Sequence, residues 1–291
     1  MIQFLKRHMF LNLVLSIGAV DIIMWYYGFA PSDWVEYTYN GTAVLLILFE
    51  FLKPRNRSWN LVNSKGINFR ESLVEVFFFF SSALFVSVFI YKFSYYCAEE
   101  IRSFFQIDSI VSWNVFIQAI IIVLAVDFIR YWLHRWMHEY SFLWRFHALH
   151  HIPERLGVLT STRTHPVDDL ILYVPEMILL FTLGFDETIV AIMYSFIWSI
   201  SLVKHSNLNF AETSFSRYFQ LPRYHLIHHK YQNEKEPTYN FSEVLTVWDR
   251  IFGTHKGYEI EADHRVGVYT DKPRGIVREF LGWLFLPVNK M

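Results

Sequence analysis

Thirteen of the 291 residues are histidine, and eight of these fall in three short runs: His134 and His138, then His147, His150 and His151, then His225, His228 and His229. Residues three or four apart on a helix stack on one face, so each run can aim two or three imidazoles at one point. At this histidine frequency a His-x-x-His-His run arises by accident roughly 0.03 times per chain; it occurs twice here, the mark of a metal site. A zinc-type site takes about four ligands, so eight imidazoles imply either two ions or one ion with a generous outer set of contacts.

Other residues fit around these runs. His205 opens a polar stretch through Asn209 and can complete the ligand set, with Asn209 one helical turn on. Asp127 lies two turns before His134 on the same face of an apolar run, where it either accepts an imidazole N–H or pairs with Arg130 or Arg135. His165 precedes Pro166, Asp168 and Asp169, a turn entering a helix with acidic residues in its first turn. We assign His165 and Asp168 to outer or substrate contacts, not to direct ligation. A helix beginning near Arg223, just after Pro222, presents His225, His228 and His229 in its first two turns. His8, His255 and His264 have no companions at ligand spacing and receive no role.

The elements that must carry these side chains are membrane helices. The chain is 53% hydrophobic and only 18% charged, greasier than an ordinary soluble domain. Apolar runs cover about 9–30, 42–52, 73–93 and 113–133, several of them long enough for ~30 Å of hydrocarbon. A membrane hairpin follows, 171–185 and 189–203, joined by a polar turn at Asp186 and Glu187. The fold class is therefore all-α: a multi-pass bundle of about four spans plus a hairpin, capped by the histidines. Residues 1–110 supply N-terminal spans and a basic loop, 111–260 the domain that bears the histidine runs, and 261–291 a tail in which 276–286 forms an interfacial helix before Pro287.

Lys6 and Arg7 before the first span, and Lys53, Arg55, Arg57, Lys65 and Arg70 after the second, place those ends in the cytoplasm. The loops expected around Asp33 and Glu36, and around Glu99 and Glu100, face the other side. This puts all three histidine runs and both termini on the cytoplasmic side of a bacterial inner membrane or endoplasmic reticulum. The N-terminal run continues through Tyr27 without a small-residue cleavage site and reads as an uncleaved anchor.

Several chemistries find no support. Cys97 is the single cysteine, which excludes an intramolecular disulfide framework and a cysteine-based metal site. A net charge of −1 carries no nucleic-acid signature. The histidine runs contain no paired serine or cysteine nucleophile and no glycine-rich phosphate cradle. Asn40, Asn56 and Asn240 match the glycosylation pattern by accident, the latter two falling on the cytoplasmic side. Asp249 and Arg250 read as a structural lock on the histidine helices, with Gly253 allowing the turn that follows. Tyr131, Trp132, Trp136 and Trp144 either wall a substrate passage or form an interfacial aromatic belt.

The order of the runs and their flanking phrases resembles the fatty acid hydroxylase and sterol desaturase superfamily of integral membrane oxygenases. The resemblance rests on D-F-I-R-Y-W-L-H-R-W-M-H from Asp127 to His138, L-W-R-F-H-A-L-H-H from Leu143 to His151, His165-Pro166, His205-Ser-Asn207 and V-W-D-R-I-F-G-T from Val247 to Thr254. It spans about Trp113 to His255, roughly half the chain. It implies a non-haem centre of two iron ions, with zinc an alternative occupant of purified protein, since imidazoles suit both metals. It further implies O2 as co-substrate, a lipid substrate drawn from the bilayer, hydroxylation or desaturation of a C–H bond, and an external electron donor of the cytochrome b5, ferredoxin or reductase kind. The fatty-acid 2-hydroxylase branch carries a further His-x-x-x-His on the hairpin; Asn209 stands where its second histidine would fall. The competing reading is a non-catalytic membrane metal-binding or metal-transport protein. A transporter places its ligands near the midplane, whereas these histidines lie at span ends and leave only Asp127 deep.

Overall fold

The computed structural model describes residues 2–60, 62–63, 66–67, 69–230, 237–257 and 265–268. Ser64, Lys65, His264 and the expected tail helix at 276–286 lie outside these, as do the side chains of Lys6, Arg7 and Arg70. Ten α-helices are described: α1 (Ile2–Tyr26), α2 (Pro31–Leu52), α3 (Phe69–Leu84), α4 (Tyr91–Phe105), α5 (Val115–Glu139), α6 (Ser141–His151), α7 (Pro166–Leu183), α8 (Glu187–His205), α9 (Pro222–His228) and α10 (Val247–Ile251). A π-helical segment, Phe85–Ile90, joins α3 to α4, and a two-residue antiparallel ladder pairs β1 (Val62–Asn63) with β2 (Gly66–Ile67).

Among the described residues four helical stretches are long and apolar enough to cross a membrane: His8–Tyr26, Leu73–Phe105, Val115–Glu139 and Glu187–His205. The chain is thus a multi-pass membrane helical bundle, but its strongest spans are not quite the four expected. α2 is 22 residues long, yet it includes Asp33, Glu36 and Glu50, and the fourth apolar span is α8 from the hairpin. Pro31 at its first turn starts α2 early, so Asp33 and Glu36 lie within the helix and not in a loop. Glu99 and Glu100 are likewise helical, because the π segment carries the backbone on to Phe105 without a break.

α8 is the axis of the bundle, packing against α1, α2, α5 and α9 while α4 lies along α7. Its Ile197, Ile200, Leu202 and Val203 are fully buried, whereas Ile22 and Ile23 of α1, Phe80 of α3 and Phe116 of α5 face outward as a lipid-facing surface requires. Because lipid tails are as apolar as leucine, polar contacts help hold such helices together, each worth about 0.6 kcal/mol. Thr38 donates to Asp21 at 2.8 Å between α2 and α1, and Ser199 to Thr42 at 3.3 Å between α8 and α2.

The two ends of the bundle differ. At one end Ser109 donates to the Gly184 carbonyl at 2.6 Å, and the Asp186 N–H donates to Gln118 at 2.9 Å. Gly184 closes α7 with a φ of +62°, and a Cβ there would sit 2.6 Å from Ser109 Oγ, so glycine is required twice over. At the other end the Arg55 N–H donates to the Asn207 carbonyl at 2.7 Å, and Phe10 packs on Phe210, Phe215 and Phe219. The start of α1 and the ends of α2, α5 and α8 all meet at this second end, where α6, α9 and the intervening loops form a cap.

Candidate metal centre

Each histidine run is delivered by the last turns of a helix. His134 and His138 close α5, His147, His150 and His151 close α6, His205 is the last residue of α8, and His225 and His228 end α9 with His229 as its cap. Pro222 at the first position of α9 fixes where that short helix begins. Helix C-termini carry partial negative charge, so four of them converging make a cap suited to cations.

All nine predicted ligands come together, in two groups. Ligand atoms of His134, His138, His147, His151 and His228 lie within 4.8 Å of one another, as do those of His150, His205, His225 and His229. The groups adjoin: the His151 and His229 rings stack with centroids 4.1 Å apart. His138 is partly buried and the other eight are buried.

Outward hydrogen bonds fix which nitrogen faces in. A carbonyl can only accept, so Nδ1 of His134 donates to Phe241 O at 2.7 Å, Nδ1 of His228 to Tyr239 O at 2.8 Å and Nδ1 of His205 to Ser201 O at 2.7 Å. Behind His147, Asp168 faces Nδ1 at 3.1 Å, an outer carboxylate contact. With Nδ1 committed, a neutral ring has only a lone pair at Nε2. His134 Nε2 and His228 Nε2 are buried with no hydrogen-bond partner among the described residues, and His205 Nε2 lies 3.0 Å from His150 Nε2 and 2.8 Å from His225 Nε2.

Protons are poor candidates to relieve this crowd of lone pairs. Burial, and then the neighbouring imidazoles, push His150, His151, His225, His228 and His229 well below the ordinary histidine range. The donor set therefore fits metal cations. Imidazole-only coordination suits iron, zinc, copper and nickel alike.

Three expectations are corrected. Asp127 contacts neither an imidazole nor Arg130 or Arg135: its Oδ1 accepts the N–H groups of Glu243 and Val244, and its Oδ2 that of Leu245, at 2.8–3.0 Å. A buried carboxylate finds three fixed backbone donors there, while Arg130 is taken by Glu176 through two 2.7 Å bonds and Arg135 by Glu139. Asn209 is exposed, because α8 stops at His205 and the helical one-turn relation between the two is lost. Tyr131 neither walls a passage nor sits in a belt; it is fully buried, 3.0 Å from Thr254 Oγ1 and stacked on Phe252.

His165 joins neither group. It caps α7, its Nδ1 accepting the Val167 N–H at 3.0 Å, and packs against Phe146. Trp144 packs on His138 and His151 with centroids 5.0 and 5.4 Å apart, and Trp136, 39% exposed, packs on Trp132. Asp249 acts as a lock, accepting from Gln220, Phe241 N, Ser242 N and Thr254. Sequence reasoning missed the carbonyls of Ser201, Tyr239 and Phe241, which no side-chain pattern can announce. It also missed the buried chain in which Lys204 reaches Glu243 at 2.8 Å and Glu243 reaches Arg130 at 3.8 Å. Burial alone would raise the Glu243 carboxyl, but Lys204 and then Arg130 hold it below the usual range.

Residues 119–254, which include all nine imidazoles, match the fatty acid hydroxylase family model. The chain is 26% identical over 263 residues to ornithine lipid hydroxylase OlsE of Rhizobium tropici, covering 88% of this chain and 76% of that protein. It is 32% identical over 151 residues to sphinganine C4-monooxygenase 2 and 31% over 168 residues to methylsterol monooxygenase 1-3, both of Arabidopsis thaliana. Those two matches cover 50% and 55% of this chain and only about half of each relative, 56% and 54%. No solved structure matches. The family's segment coincides with the stretch that gathers the nine imidazoles, so residues 119–254 are a fatty acid hydroxylase domain by similarity.

Proposed function

We propose that this protein is an oxidoreductase that hydroxylates a C–H bond of a membrane lipid at a non-haem di-iron centre. The observation that carries the reading is the pair of adjoining imidazole groups, five and four, at one end of a membrane bundle. The reaction is R–H + O2 + 2e⁻ + 2H⁺ → R–OH + H2O, with the electrons supplied by an external donor. Two bound iron ions would supply the oxidising power that an unactivated C–H bond demands. Hydroxylation is favoured over desaturation because the relative matched over 88% of the chain is a lipid hydroxylase by name.

The residues have separable tasks. His134, His138, His147, His151 and His228 would hold one ion, and His150, His205, His225 and His229 the other. Asp168, Phe241 O, Tyr239 O and Ser201 O hold four of these rings with Nε2 inward, so ligation costs little reorientation. Trp144 shields the five-imidazole side from water. Lipid would approach along the exposed aromatic corner of Trp136, Tyr140 and Phe142. Lys53, Arg55 and Arg57 lie at the histidine end, which supports a cytoplasmic position for it.

The test is untargeted lipid mass spectrometry of cells with and without the chain, alongside His150→Ala and His228→Ala. The expected result is a lipid that gains one oxygen with the intact chain and not with either variant, although both still insert in membranes. Bound metal with no lipid change under any electron donor would favour a metal-binding protein instead.

A further inference from the structure

The two imidazole groups are held differently from behind. In the four-imidazole group the outward bond to a carbonyl found among the described residues, from His205 to Ser201, stays within α8. In the five-imidazole group His134 and His228 both lean on a single short segment, through the carbonyls of Phe241 and Tyr239. That segment, 239–245, has no regular secondary structure of its own beyond an isolated bridge at Leu245, so something else must fix its carbonyls.

Two fully buried carboxylates fix it. Asp249 accepts the N–H groups of Phe241 and Ser242 at 2.8 and 3.1 Å, and Asp127 accepts those of Glu243, Val244 and Leu245 at 2.8–3.0 Å. Five consecutive backbone donors are thus consumed by two side chains. Between the two ligand-bearing carbonyls, Asn240 takes a left-handed φ of 58° and staples the turn, donating to Tyr224 O and Lys256 O and accepting from Lys256 N, each at 2.9 Å. Asp127 and His134 stand on the same helix, so a closed loop results: α5 holds the segment through Asp127, and the segment holds α5's own ligand through Phe241. Charge-assisted bonds from a carboxylate to N–H groups are about twice as strong as neutral ones, which makes this a stiff mount.

We propose that Asp127, Asp249 and Asn240 are positioning residues that act on one of the two metal ions: they set the orientation and tautomer of His134 and His228, and hence the affinity of the five-imidazole group, while leaving the four-imidazole group alone. The inference rests on the two-ion reading above. Loss of such an outer contact weakens metal binding about 10- to 100-fold.

The experiment is zinc binding to the purified full-length chain in detergent, by equilibrium dialysis with elemental analysis, comparing wild type, Asp127→Asn and Asn240→Gly. Asn240→Gly removes the staple but tolerates the left-handed backbone, so it tests the idea even where Asp127→Asn does not yield folded protein. The expected result is about two zinc ions in wild type, one of them weakened about 10- to 100-fold in each variant. Pairing decides which ion it is. Added to His228→Ala, which already disables the five-imidazole group, either variant should cause no further loss; added to His225→Ala, either should weaken the last remaining ion. Unchanged zinc affinity in the variants, or equal weakening of both ions, overturns the proposal. A wild-type chain that binds fewer than two ions instead overturns the two-ion reading on which it stands.

Discussion

Asp168 stands directly behind His147: its Oδ2 lies 3.1 Å from Nδ1, and it is fully buried in the first turn of α7 while His147 projects from α6. A carboxylate in that position orients the imidazole and raises its basicity toward a metal. Asp168→Asn keeps the shape and removes the charge. It should weaken the five-imidazole ion about 10- to 100-fold with little change in helix content. Elemental analysis of the purified variant checks this, and full wild-type retention under chelator challenge would count against the role.

Acid should act on the metal-free cap. His150, His151, His225, His228 and His229 are held below their ordinary value by burial first and by neighbouring imidazoles second. Their unfolded value is about 6.5, so below it the unfolded chain takes up protons that the folded chain refuses. Stability is therefore present above about pH 6.5 and is lost as the pH falls toward the folded values. Melting temperatures of chelated protein should be flat from pH 7 to pH 8 and fall steadily below pH 6.5. A melting temperature that rises on acidification would contradict the burial of neutral rings.

Beneath the cap, Arg130 and Glu176 form a two-bond ion pair with side-chain exposures of 3% and 0%, and Tyr194 donates to the same carboxylate at 3.0 Å. Removing Glu176 leaves Arg130 with Glu243 at 3.8 Å in place of a two-bond partner. Glu176→Ala should cost about 3–5 kcal/mol, whereas Arg130→Met with Glu176→Leu should cost much less, because the double change removes both charges. Thermal stability of wild type, the single variant and the double variant in one detergent tests this order.

Sidedness has its own check. Arg57 is exposed at the histidine end and Asp108 is exposed at the other. In a Cys97→Ser background, Arg57→Cys should react with a membrane-impermeant thiol reagent only after the cytoplasmic face is opened, and Asp108→Cys in intact cells. Labelling of both from the same side would break the single-cap topology.

The amino-acid sequence determined that nine imidazoles would sit at helix ends in an apolar helical bundle, because types, spacing and hydrophobic runs are local properties. The span boundaries were only partly legible, since Asp33, Glu36, Glu99 and Glu100 read as loop residues and yet are carried inside α2 and α4. What only the tertiary structure decided is how the imidazoles divide. The runs do not map onto the groups: His150 parts from its neighbours His147 and His151, and His228 parts from His225 and His229. Adjacent helical residues differ in direction by about 100°, so partners four apart stay together while neighbours diverge, and which group each ring joins depends on how the helices cross. The carbonyls of Phe241 and Tyr239, and the turn of Asp127 toward backbone N–H groups, were likewise settled by packing, since a backbone atom offers its hydrogen bond whatever side chain it bears.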